Sequence, residues 1–197
     1  MERKLPIYKL TINDTDESGV NYVALVDGPA IQRNWFAFSK QDFKFVADAD
    51  RRIITGALMV ADLPIYRRNE SMGEFYVIFD KAQIEKCVQK FFKNGHTSNV
   101  NKMHDPNLKV DGVYMFESFI VDSARGIKAP EGFTGITEGS WIGSYKVDNE
   151  DVWQNFIKTG DFKGYSVEGM FDYEPHTLST EEEIEKTILE IEDFLKS

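Results

Sequence analysis

The 197-residue chain contains one cysteine and three histidines. A single cysteine excludes an intrachain disulfide and fits a reducing, intracellular setting. Cys87 also falls in Ile84-x-x-Cys87-Val88-x-x-Phe91-Phe92, the apolar stripe of a helix, and so reads as an inert core residue, not a nucleophile. The histidines form no HxxxH pair, and no Cys/His cluster exists, so neither a metal nor a cofactor is expected. Basic residues are scarce: 23 Lys and Arg against 33 Asp and Glu, a net charge of −10. That balance excludes counterion release along nucleic acid. No apolar run approaches the roughly 18 residues of a membrane span, and no signal-peptide core follows Met1-Glu2-Arg3-Lys4. A soluble protein with no membrane partner and no recognisable export signal is expected.

What the chain does have is strand-forming sequence. Hydrophobic content of 42% and aromatic content of 13% describe a globular chain, long enough for one domain with a real core. Aromatic and β-branched residues predict strands over 5–12, 20–26, 35–38, 43–46, 52–59, 74–79, 112–122, 140–147 and 165–173, with 64–69 as a loop. Three helices are predicted: 81–93 after the N-cap Asp80, 150–158 ending at Gly160, and 181–195 after Ser179-Thr180, each with a glutamate three residues on. Many strands, few helices and no βα alternation predict a mainly β, α+β fold: a closed or nearly closed antiparallel β-barrel with flanking helices. The barrel domain is expected over 1–178. Residues 179–197 form an amphipathic helix, with Ile184, Ile188, Ile191 and Leu195 on one stripe, docked on the domain or at a dimer contact. The long loop 122–139 is expected on the substrate side or as a lid.

Several segments invite a chemical reading. Asp14-x-Asp16-x-Ser18-Gly19 resembles the opening of a calcium loop, but Leu25 stands where the bidentate carboxylate should be, so a turn is expected. Asn101-Lys102-Met103-His104-Asp105 puts a histidine in a polar loop, and Gly164-Tyr165-Ser166-Val167-Glu168-Gly169 puts a serine between glycines on a strand. A serine nucleophile needs a base, and His104 is the first candidate, with His96 and His176 as competitors. The plain alternatives are a loop histidine bonded near Asp105 and a strand serine facing solvent. The glycines around Ser166 would let backbone approach closely and remove bulk where a peptide must lie.

At these residues the chain resembles the tailed-phage prohead maturation proteases, specifically the XkdF-like serine proteases. The likeness runs through Val23-Ala24-Leu25-Val26-Asp27-Gly28-Pro29-Ala30-Ile31, Gly56-x-Leu58, Pro64-Ile65-Tyr66-Arg67 and Gly73-Glu74-Phe75-Tyr76-Val77-x-Phe79. It continues through Asn101-x-x-His104, Glu117-Ser118-Phe119-Ile120-Val121, Gly139-Ser140-Trp141 and Val152-Trp153, and closes with Gly160-x-Phe162-x-Gly164 to Gly169.

The resemblance implies a β-barrel like that of herpesvirus assemblin and a His/Ser pair with a variable third member. Ser166 would be the nucleophile and His104 the general base. For the third member Glu117 is the first choice, because a carboxylate among Tyr114, Met115, Phe116 and Phe119 needs a partner. Glu168 and Asp122 are the alternatives; Glu168, two strand residues beyond the serine, would share its face. Backbone amides near Gly139 or Gly143 are candidate oxyanion donors. The implied substrates are a scaffold protein, the major capsid protein and the protease itself, with self-processing near Ser197. The implied location is the prohead in the host cytoplasm. A relative that kept the barrel without the activity, as a virion or scaffold-associated structural protein, is the competing expectation.

Overall fold

The computed structural model describes residues 5–27 and 44–176. The predicted strand 35–38 and helix 181–195 lie outside these residues, as does the division at residue 178.

Among the described residues twelve strands form three four-stranded sheets. β1 (Ile7–Thr11) and β2 (Gly19–Val26) are joined by the Asp14–Ser18 segment, which folds as a turn, with the Ser18 hydroxyl accepting from the Asn13 amide at 3.0 Å. β3 (Val46–Asp48), β4 (Ile53–Met59), β5 (Ile65–Asn69) and β6 (Gly73–Ile78) follow. The long helix α1 (Lys81–Lys93), the one of its length among the described residues, starts where the Asp80 carboxylate accepts from the Gln83 amide at 2.7 Å. Beyond it come β7 (Val100–Lys102), β8 (Asp105–Lys109), β9 (Val113–Ile120) and β10 (Trp141–Val147). A short α2 (Glu150–Val152) runs into a wide π turn, Trp153–Ile157, before β11 (Gly164–Met170) and β12 (Asp172–His176).

The sheet orders are β12-β1-β6-β5, β3-β4-β10-β9 and β11-β2-β7-β8. Among the described residues none of the three closes on itself, so the expected closed or nearly closed antiparallel barrel is overturned. Parallel pairing explains the difference. The chain leaves β1 and β2, then returns through β6, α1 and β7, setting β6 beside β1 and β7 beside β2 in parallel. Such pairs require a long crossover: β2 reaches β7 through a connection that includes α1, and β1 reaches β6 through β2–β5. Each return tops up an existing sheet without joining its two edges. The mainly β content stands.

The core lies between the sheets and α1. β2 is buried along most of its length (Val20, Val23, Ala24, Leu25, Val26), as a strand covered on both faces must be. Ile84, Cys87 and Phe91 face inward from α1, and Phe91 meets Trp141 edge-on with ring centroids 5.2 Å apart. A smaller apolar cluster of Ala57, Val60, Val121 and Ile142 sits under the 122–139 loop, which contributes Ala129 and Ile136 to it.

Candidate active site

Ser166 sits in the middle of β11, and its surroundings are stiff. The preceding residue, Tyr165, is buried, packs on Tyr145 at 5.1 Å and donates its hydroxyl hydrogen bond to the Ile54 carbonyl at 2.7 Å. Gly56 makes room for that ring: a Cβ there would stand 3.1 Å from it. Ser166 itself is only 5% exposed, so the expectation of a strand serine facing solvent does not hold.

The sheet register sets Ser166 opposite Ala24 on β2 and Ala24 opposite Asn101 on β7. Residues in one row share a face. Ser166 and Asn101 therefore stand on the same side of the sheet, about 10 Å apart across two strand spacings. Glu168, two residues beyond Ser166, is on that face as well. The side chain between them in this row is the methyl group of Ala24, buried like Ser166 and Asn101 on either side of it. Across β2 the Asn101 amide donates to Glu168 Oε1 at 2.7 Å.

His104 reaches the same carboxylate from a tight hairpin. Lys102 pairs with Asp105, leaving Met103 and His104 as the two turn residues, with φ of 53° and 63°. Positive φ at both central residues is the type I′ requirement, usually met by Asn-Gly. A Met-His turn is strained, and strain of this kind is kept where a side chain must be aimed. His104 Nδ1 lies 3.1 Å from Glu168 Oε1, with 44% of the histidine side chain and 28% of the glutamate side chain exposed. The expected partner Asp105 is otherwise engaged, accepting from the Asn107 amide at 2.8 Å. No hydrogen bond joins His104 to Ser166 in this structure.

The other candidates stand elsewhere. Glu117, on β9 in a different sheet, accepts from the Ser144 hydroxyl at 2.7 Å, and Ser144 in turn lies 2.9 Å from Thr55 Oγ1. Its partner is a hydroxyl pair on β10 and β4, not a histidine. Asp122 caps a short helical turn by accepting from the Arg125 amide at 3.1 Å. His96 is held by Asn99 at 2.9 Å and by the edge of Phe91, and His176 ends β12 opposite Ile7. The Gly139 amide is spent on the Val121 carbonyl at 2.9 Å, and Gly143 is paired on both sides within its sheet, so neither is free as an oxyanion donor.

Ser166 and Glu168 line a cleft of about 290 Å³. Its walls come from all three sheets: Leu10 and Tyr173 from the first, Leu58 and Met59 from the second, and 165–169 from the third. No residue of the 122–139 loop lines it. Among the described residues no three His, Cys, Asp or Glu side chains are grouped to hold a metal ion. Asn101 is the site residue that sequence reading left without a role; its only signal was an asparagine three residues ahead of the histidine. Its Oδ1, buried and without a partner, marks a position where the fold leaves a polar atom unsatisfied.

A family model described as "Putative phage serine protease XkdF" matches residues 42–174. No curated protein and no solved structure matches the chain. No helix among the described residues is long and apolar enough to cross a membrane.

Proposed function

Because the chain belongs to this family of phage serine proteases, we propose that it is a prohead maturation endopeptidase with Ser166 as nucleophile, His104 as general base and Glu168 as the orienting carboxylate. The observation that carries this reading is the Glu168 carboxylate held on His104 Nδ1, on the sheet face that Ser166 shares. A hydrogen bond donated from Nδ1 to Glu168 leaves Nε2 unprotonated, which is the tautomer a base requires. The Asn101 amide restrains the same carboxylate oxygen, so the imidazole is oriented by two residues of the fold. Glu117, the first choice from sequence, gives way to Glu168 because its carboxylate serves Ser144.

The reaction is acyl transfer. As Ser166 Oγ attacks the scissile carbonyl, its proton passes to His104 Nε2. The imidazolium, stabilised by Glu168, then protonates the leaving amine as the C–N bond breaks. Water, deprotonated by the same nitrogen, releases the acyl group from Ser166. The bond between base and nucleophile in such sites commonly tightens only when substrate is bound. Among the described residues β11 is an outer strand of its sheet, so an extended peptide can lie along it as an added strand.

The proposed substrates are the scaffold protein, the capsid protein and the protease itself, cut inside the immature capsid in the host cytoplasm. Co-expression with the cognate scaffold and capsid proteins, comparing wild type with Ser166→Ala by intact mass, tests this. Discrete truncations that require Ser166 are expected. Identical masses under conditions where proheads assemble would instead support an inactive structural protein of the virion.

A further inference from the structure

Arg67 sits on β5, the outer strand of the first sheet, and lines the same cleft that Ser166 and Glu168 line from β11. Its neighbours in the wall include Leu10, Leu58, Ile65, Phe79 and Phe171, a largely apolar set. The guanidinium makes one hydrogen bond, from Nη1 to the Tyr66 carbonyl at 3.1 Å, and among the described residues it forms no ion pair. Glu168, the carboxylate that lines the cleft, is committed to Asn101 and His104, and Glu74 on the neighbouring β6 is committed to the Tyr66 hydroxyl at 2.6 Å. Burial lowers the Arg67 pKa from its ordinary value, but an arginine so shifted remains charged.

A half-buried cation without a counter-charge costs stability, and an apolar side chain of similar volume would pack better against this wall. Among the described residues most of the guanidinium's N–H donors have no protein partner, and their planar fork matches a carboxylate. A cleft of about 290 Å³ suits a side chain or two of a bound peptide. It falls at the small end of the roughly 300–1,000 Å³ usual for small-molecule sites. The chain as a whole carries a net charge of −10, so attraction to an anion here is local to the cleft and not a property of the surface.

We propose that Arg67 forms an anion subsite of the protease, receiving the side-chain carboxylate of an Asp or Glu at one fixed position beside the scissile bond. This rests on the reading of Ser166 as nucleophile. The test incubates the full-length protein with a proteome-derived peptide library and reads cut sites by mass spectrometry. In parallel, a fluorophosphonate reports whether Ser166 is labelled. The expected result is enrichment of Asp and Glu at a single position relative to the cut. Arg67→Lys should keep it. Arg67→Met should lower kcat/KM for acidic peptides about 10–100-fold, the size of a lost charged hydrogen bond, while sparing peptides with a neutral residue there. Arg67→Glu should shift the enrichment toward Lys and Arg, and Ser166 should label in every variant. Labelled Ser166 with cuts that lack acidic enrichment, or with no cuts, would overturn the subsite and leave the nucleophile standing. An Arg67→Met protein that loses acidic and neutral peptides equally would overturn it too. Absence of both labelling and cleavage would remove the nucleophile and the subsite together.

Discussion

Glu117 and Glu168 show how far a residue's role depends on what the strand pairing brings to it. Both are strand glutamates, and both had a case in the sequence. Local sequence names the face a side chain takes but not the partner across the sheet, and here the partners are Ser144 for one and His104 for the other. Glu168→Gln should therefore lower the rate of scaffold cleavage by roughly 10⁴-fold, as loss of a triad acid does, while Ser166→Ala or His104→Ala costs on the order of 10⁶. Glu117→Gln should leave the rate unchanged and instead lower the melting temperature, because it weakens the Glu117–Ser144–Thr55 chain by about 1 kcal/mol. Rates of the four variants on one substrate decide the matter: equal losses for Glu117→Gln and Glu168→Gln would return the assignment to an open choice. The same scale separates Cys87 from the chemistry. It is fully buried, and burial pushes its thiol up to about 12. In the folded protein at pH 8 a disulfide reagent should leave it unmodified, and it should react in urea; rapid reaction of the native protein would show that α1 opens.

At the scale of elements, the sequence was most legible where pattern and punctuation agree. α1 occupies the span its Asp80 cap and apolar stripe predicted, and β2, β4, β9 and β10 fall within a residue or two of their expected bounds. The sequence reads 64–69 as a loop, and the structure places β5 there, behind Pro64 and carrying Arg67-Arg68. Charge is what an outer strand carries, so the arginine pair belongs to an edge. β8 was missed as well: its hairpin turn is Met103-His104, without the Asn-Gly signal that a type I′ turn normally gives. The glycines around Ser166 were expected to clear space for a peptide. Gly169 has a different task. A bulge between Glu168 and Gly169 brings β11 so close to β2 that a Cβ on Gly169 would stand 1.8 Å from the Gly19 carbonyl oxygen. That neighbour is backbone and cannot rotate away. Gly169→Ala should cost at least about 1–3 kcal/mol, the usual cost of overpacking. It should also reduce cleavage by displacing Glu168 from His104. Denaturant midpoints and cleavage rates measured on the same preparation check this; a variant with wild-type stability would mean that the two strands can separate at little cost.

At the scale of the whole molecule, three open sheets need something to hold them in register, and α1 is placed to do it. Its inner face carries Phe91 onto Trp141 of the second sheet, Gln83 Oε1 accepts from the Ile12 amide at 3.1 Å, and Lys90 donates to the Asn13 carbonyl at 3.0 Å. Asp80, at the start of α1, adds an ion pair with Lys9 of β1 in the first sheet. This arrangement was not legible in the sequence, because every contact in it joins residues far apart in the chain, and the parallel pairing that opens the barrel has the same origin. The ion pair gives the arrangement a pH signature. Burial alone would raise the Asp80 pKa, but the hydrogen bond from Lys9 and the Gln83 amide together hold it below its ordinary 3.8. Its contribution is therefore complete above 3.8 and fades as pH falls through the lower folded-state value. For Lys9, the Asp80 hydrogen bond outweighs burial and raises the pKa above 10.5, so its contribution is complete below 10.5 and lost as pH rises through the folded value. Asn caps a helix about as well as Asp, so Asp80→Asn removes the charge and keeps the cap, whereas Asp80→Ala removes both. At pH 7 Asp80→Asn should melt about 2–4 °C below wild type, the shift that roughly 1 kcal/mol makes in a chain of this size. The two should converge as pH falls below 3.8, while Asp80→Ala stays lower throughout by the further cost of a lost cap, about 1 kcal/mol. Melting temperatures of the three proteins from pH 2.5 to pH 7 would decide it. A wild-type and Asp80→Asn pair that stays parallel into acid would show that the pair does not titrate as argued, and that α1 is held to the sheets by its apolar face and its backbone contacts alone.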